Sequence, residues 1–142
     1  MISGVAERSL GSRVLVWGQW VLLAAFLLGS FGVLIMAVVQ TGDAGALFDP
    51  RLERLDDPKA SMPDSVWNPF AWIVGIARLV AMLVFVAGIA GVILGVVAIA
   101  RSRHVGDRAG YRWSLAGTVA WILVLILMLT PYGRALHSWL LD

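Results

Sequence analysis

Three long apolar blocks, residues 14–39, 70–100 and 113–130, limit what this chain can become more than any other feature. Inside each block apolar residues follow one another almost without interruption. They show neither the alternation of a half-buried strand nor the three-and-four spacing of a surface helix. Each block is long enough for a helix that crosses a bilayer, about 17–25 residues at a rise of 1.5 Å. The composition agrees, at 60% apolar and 14% charged residues, where a soluble domain carries about 25% charged. The expected fold is therefore an all-α membrane protein with three transmembrane helices in one integral membrane domain, residues 1–142. Segment 40–68 connects the first two spans and the short loop 101–112 connects the second and third.

The arginines set an expected orientation. Segments 1–13 and 101–112 share one side and hold six arginines in 25 residues. Segments 40–68 and 131–142 share the other, with five bases in 41 residues when Arg78 is counted there. Basic residues concentrate on the cytoplasmic side of membrane proteins, so the N-terminus reads as inside and the C-terminus as outside. Ten arginines against one lysine read as a GC-rich bacterial genome, which makes the membrane a bacterial plasma membrane. Segment 40–68 carries six acids and three bases. Asp49 as cap, Pro50 at the first helical position and Pro58 just beyond the end predict a short helix there. Its Leu52 and Leu55 would lie on the membrane surface. Asn68 and Pro69 signal the start of the next helix in the same way.

Arg78 stands inside the second block, where a guanidinium in hydrocarbon would be costly. From Pro69 to Ala100 a continuous helix would be about 48 Å long, against a hydrocarbon core of about 30 Å. If the inner boundary lies at Ala100, residues 79–100 already fill the core. Arg78 then becomes an interfacial anchor whose stem snorkels toward lipid phosphates. Trp67, Trp72, Tyr132 and Trp139 would form an outer aromatic belt, and Trp17, Trp20 and Trp113 an inner one.

Ala87, Gly91 and Gly95 recur every fourth residue on the second span, a stripe of small side chains that lets another helix approach closely. The approaching helix is either another span of this chain or a second copy. Polar side chains within the spans reduce to Gln19, Ser30, Ser114 and Thr118, none of them ionisable, which disfavours a proton or ion path. With no cysteine, thiolate metal sites, iron–sulfur clusters and cysteine nucleophiles are excluded. His104 and His137 fall in segments expected on opposite sides of the membrane, so they share no haem or metal within one chain. Glu53, Asp56 and Asp57 lack the alternating pattern of a calcium loop and read as a solvated face. No cofactor, no metal, no nucleic-acid partner and no catalytic residue is expected. Arg101, Arg103, Arg108 and Arg112 report topology first, and second a possible contact with anionic lipid headgroups, worth about 1 kcal/mol per base.

Two functional classes remain. The first is a non-catalytic accessory or scaffold subunit of a larger membrane complex, whose partners are other membrane subunits or copies of itself. The second treats the first block as a leader. Ala44-Gly45-Ala46 is an A-x-A pattern of the kind signal peptidase prefers. Removal there would leave two spans joined by a tight basic loop. In outline, residues 46–130 then resemble the pilin-like subunits of conjugation and type IV secretion systems, which implies a helical hairpin packed into a filament with lipid. Residue 46 lies about seven positions beyond the span, so the uncleaved form is expected.

Overall fold

The computed structural model describes residues 2–51, 53–57 and 67–141, with side chains from residue 10 onward. Among these residues every regular element is helical. They are α1 (Ile2–Leu27), a π turn (Leu28–Gly32), α2 (Val33–Thr41), a 3₁₀ turn (Ala44–Leu47), α3 (Pro69–Met82), α4 (Val84–Val105), α5 (Arg108–Leu129) and α6 (Pro131–Leu141). Three stretches are long and apolar enough to cross a membrane: Leu10–Thr41, with 32 residues, and α4 and α5, with 22 each. They reach about 48, 33 and 33 Å, so each exceeds a hydrocarbon core of about 30 Å.

The second apolar block is not one helix. Helical geometry lapses at Leu83, where φ is −95° and ψ is 29°. This break absorbs the surplus length evident in the sequence. It leaves α3 with 14 residues, about 21 Å and too short to cross. Asn68 caps α3, its Oδ1 accepting from the Phe70 amide at 3.0 Å, with Pro69 in the first turn.

Contacts divide the chain into two compact units. Unit one joins Met1–Leu23 to Phe85–Leu125, and unit two joins Ala24–Val84 to Ile126–Asp142. In unit one α4 buries a spine of Ala87, Gly88, Gly91, Gly95, Ala98 and Ser102. These positions recur at three and four residues, which puts them on one helical face. Its outer face carries the exposed Val86, Ile89, Ile93 and Val96. Gly106, with φ of 73°, ends α4 in the left-handed conformation that glycine adopts without strain. Asp107 N donates to Ser102 O at 2.9 Å and Gly106 N to Arg103 O at 3.3 Å, the paired bonds of a Schellman close. Asp107 then caps α5, accepting at Oδ1 from Gly110 N at 2.9 Å.

Unit two buries larger side chains: Phe26, Leu34, Leu55, Met128, Leu136, Trp139 and Leu140. Here α3 packs on the π turn and on α6. At the π turn the backbones nearly touch, because a Cβ on Gly29 would overlap the Ala77 carbonyl. Thr130 caps α6 by accepting from Gly133 N at 3.2 Å.

The helix expected from Asp49 does not form in the described residues. Asp49 binds Arg51 Nε at 2.8 Å instead of capping, and the amides of Arg54 and Leu55 both reach Arg51 O, closing one turn. Pro50 and Leu55 are buried in the unit rather than spread on a surface; Leu52 and Pro58 lie outside the described residues. The cap is Asp43, which accepts from Gly45 N at 2.9 Å and starts the 3₁₀ turn.

Candidate functional site

The most connected cluster in unit one surrounds Gln19, a side chain that the sequence marks only as one of four polar residues in the spans. It is fully buried. Its Nε2 donates to Gly91 O on α4 and to Thr118 Oγ1 on α5, each at 3.1 Å. The fully buried Trp121 donates from Nε1 to the Gln19 carbonyl at 3.4 Å. Thr118 Oγ1 passes its own proton to Ser114 O at 2.7 Å, and Ser114 Oγ donates to Gly110 O at 2.7 Å. Gly91 O can only accept, so the amide must face it nitrogen-first. Gln19 Oε1 is then left without a hydrogen bond, against Gly117, where a Cβ would lie 2.6 Å away.

This geometry explains the small-residue stripe. A Cβ on Gly91 would strike the Trp121 ring, and one on Gly95 would strike Thr118 Oγ1 and Gln19 Nε2. Ala87 is buried on the same face. The stripe therefore meets α1 and α5 of its own chain. None of these polar groups titrates near neutral pH; their hydrogen bonds join α1, α4 and α5.

The inner-belt tryptophans come together in unit one. Trp20 and Trp113 pack edge to face with centroids 5.7 Å apart, and Trp20 Nε1 donates to Trp113 O at 3.3 Å. With Val16 and Trp17 they line an apolar hollow of about 270 Å³.

The four loop arginines do not act as one group. Arg103, Arg108 and Arg112 line an open cavity of about 410 Å³ with Ser102, Gly106, Asp107 and Tyr111. Arg101 points elsewhere, its Nη1 lying 2.8 Å from where a Cβ on Gly11 would be. Arg103 is held across the turn, its guanidinium 5.2 Å from the Tyr111 ring centre and its Nη2 3.2 Å from the phenol oxygen. His104 is exposed beside this turn. Asp107 Oδ1 is engaged in its cap.

Two residues expected as anchors, Arg78 and Trp139, are buried within unit two. Arg78 is only 7% exposed, and its Nη2 donates to Leu140 O at 3.1 Å. The last carbonyls of a helix lack intrahelical partners and carry its negative end. A guanidinium on the last turn of α6 answers both needs, and Arg78 supplies it from within the unit. Trp139 is 1% exposed and donates from Nε1 to Asp56 O at 3.3 Å. Tyr132 donates to Leu47 O at 3.1 Å, so two α6 side chains hold the connecting segment. Burial pushes the Tyr132 phenol above its ordinary 10.0. Trp72 is exposed on α3.

Among the described residues no group of three or more His, Asp or Glu side chains is placed to hold a metal ion. Comparison with known protein families, with curated proteins and with solved structures finds no match to this chain.

Proposed function

We propose that this chain is a non-catalytic accessory or scaffold subunit of a larger membrane complex. The observation that carries the reading is α3. It is too short to cross a bilayer, yet it exposes Phe70, Trp72, Ile73, Ile76 and Leu79. An apolar face of that size on a helix of that length fits a partner helix at a subunit contact. The buried polar groups of unit one favour the same reading, since they fasten helices and offer no reactive pair. The chain sits in a bacterial plasma membrane with its N-terminus and the arginine turn inside, as the arginine density indicates. Its first span is retained. Removal before Leu47 would take away Gln19, which bonds to Gly91 and Thr118, and Gly29, which fits against Ala77.

Two measurements test this. In mild detergent the chain should migrate with a stoichiometric membrane partner, or with further copies of itself, and Ile76→Arg on the exposed α3 face should release it. A chain that runs alone, as 15.3 kDa of protein in its micelle, overturns the subunit reading. On intact cells an impermeant maleimide should label Ser138→Cys and spare His104→Cys, both exposed positions; the opposite pattern reverses the orientation.

A further inference from the structure

The cavity at the α4–α5 turn combines features that a loop chosen only for its charge does not need. Three arginines line it, Arg103, Arg108 and Arg112. Asp107 offsets one charge, and its carboxylate is already engaged with Gly110 N. The first amides of α5 point toward the same end of the helix, since the opening N–H groups of a helix have no intrahelical acceptor. Ser102 lines the cavity wall; it is 1% exposed, and its Oγ is buried with no hydrogen-bond partner. A buried hydroxyl without a partner is disfavoured by about 1–3 kcal/mol, and an acceptor entering the cavity would remove that penalty.

We propose that this cavity binds a phosphate group, and that the phosphate belongs to the headgroup of an anionic phospholipid. Phosphate matches the donor set: forked guanidinium groups from two helices, a hydroxyl on the cavity wall and helix-start amides. Arg103 is already braced by Tyr111, so little side-chain freedom is lost on binding. The volume, about 410 Å³, is that of a small-ligand pocket. The headgroup source follows from the next residue along α5. Arg112 lines the cavity, whereas Trp113 lines the apolar hollow with Val16, Trp17 and Trp20. Indole rings gather at the headgroup level of a bilayer, and that hollow suits the first carbons of an acyl chain.

This inference rests on the membrane-spanning reading but not on any partner subunit. The test uses the full chain in mild detergent with equal phosphatidylglycerol and phosphatidylcholine, and native mass spectrometry counts the lipids retained. The parent should keep one phosphatidylglycerol per chain in clear preference to phosphatidylcholine. Arg103→Gln should lower that preference about fivefold, the effect of one base near an anionic headgroup. Ser102→Ala, a mild change, should lower the retention of phosphatidylglycerol itself about tenfold, as loss of a hydrogen bond to a charged group does. Arg101→Gln, outside the cavity, should leave it intact. Inorganic phosphate at millimolar concentration should not displace the lipid; displacement would reassign the same site to free phosphate. Equal retention of the two lipids overturns the proposal. So does an Arg101→Gln loss equal to that of Arg103→Gln, or full retention by both Arg103→Gln and Ser102→Ala. Loss of selectivity in an intact complex sinks the pocket alone. Selectivity kept by a solitary chain sinks only the subunit reading.

Discussion

Gly91 and Trp139 mark two ways of holding helices together within one chain. Around Gly91, in unit one, α4 buries glycine, alanine and serine, with Gln19 and Thr118 supplying hydrogen bonds and Trp121, Leu23 and Leu125 the larger side chains. Around Trp139, in unit two, the buried side chains are large: Phe26, Leu34, Leu55, Met128, Leu136 and Leu140. In lipid, apolar side chains gain little by leaving their surroundings, so helices associate through close backbone approach and polar bonds. Where segments adjoin water, burial of large apolar groups supplies the driving force. Unit one relies on the first means. Unit two adds the burial of large side chains to a close backbone approach of its own, at Gly29 and Ala77.

The contrast predicts opposite sensitivities to side-chain size. The largest effect should come from truncation in unit two. Trp139→Ala empties the space beside Leu136 and Leu140 and removes the bond to Asp56 O, and a core tryptophan cut to alanine costs about 3–5 kcal/mol. Denaturant unfolding in detergent would measure it, with faster proteolysis of segment 40–68 as a second readout. If Trp139→Ala proves neutral, unit two is not held by its large side chains and the contrast fails.

Enlargement in unit one comes next. Gly95→Ala adds a single methyl where Thr118 Oγ1 and Gln19 Nε2 already stand, and overpacking of this kind costs about 1–3 kcal/mol. The same assay should show a clear loss, while Gly75→Ala on α3, where a Cβ meets nothing within 4 Å, should be tolerated. Equal tolerance at both positions would mean that the α4 spine gives way, and the close approach would not be what holds unit one.

The smallest effect concerns pH. Burial raises the Tyr132 phenol above its ordinary value, so the folded form holds that proton more firmly than the unfolded one. Its contribution is complete below about pH 10 and is lost as pH rises through the higher folded value. The hold of α6 on the 3₁₀ turn should therefore loosen only in strong alkali. Tyr132→Phe should remove this alkaline step from a pH series of tryptophan fluorescence and change little at neutral pH.

The three membrane-length helices could be read from sequence because block length and composition alone decide them. The division at Leu83 could not. No proline or glycine stands there, and the break falls where the chain passes from one compact unit to the other. The burial of Arg78 and Trp139 is illegible in the sequence for a related reason. Snorkelling and aromatic belts are rules about depth in a bilayer, whereas both residues are claimed by partners far along the chain, Leu140 O and Asp56 O. Such partners leave no local trace in the sequence. Gln19 did leave one, as a lone amide in a 26-residue apolar block, and a group so placed nearly always has a bond to make. The loop arginines announced a basic surface, but only the turn geometry separates the three around the cavity from Arg101.

The π turn at Leu28–Gly32 acts as a phase shift in the longest helix. A π turn fits one more residue than the regular α-helix would hold, so every residue after it is rotated relative to those before. Deleting one residue between 28 and 32 would restore an unbroken α-helix, better hydrogen-bonded than the original. It would also swing Val33, Leu34 and Ala37 by about 100° from the face that Phe26 now shares with them. The more regular helix would be the one that no longer fits its neighbours. Substitutions in this segment can be judged one by one, but a change in its length rewrites the contacts of everything that follows.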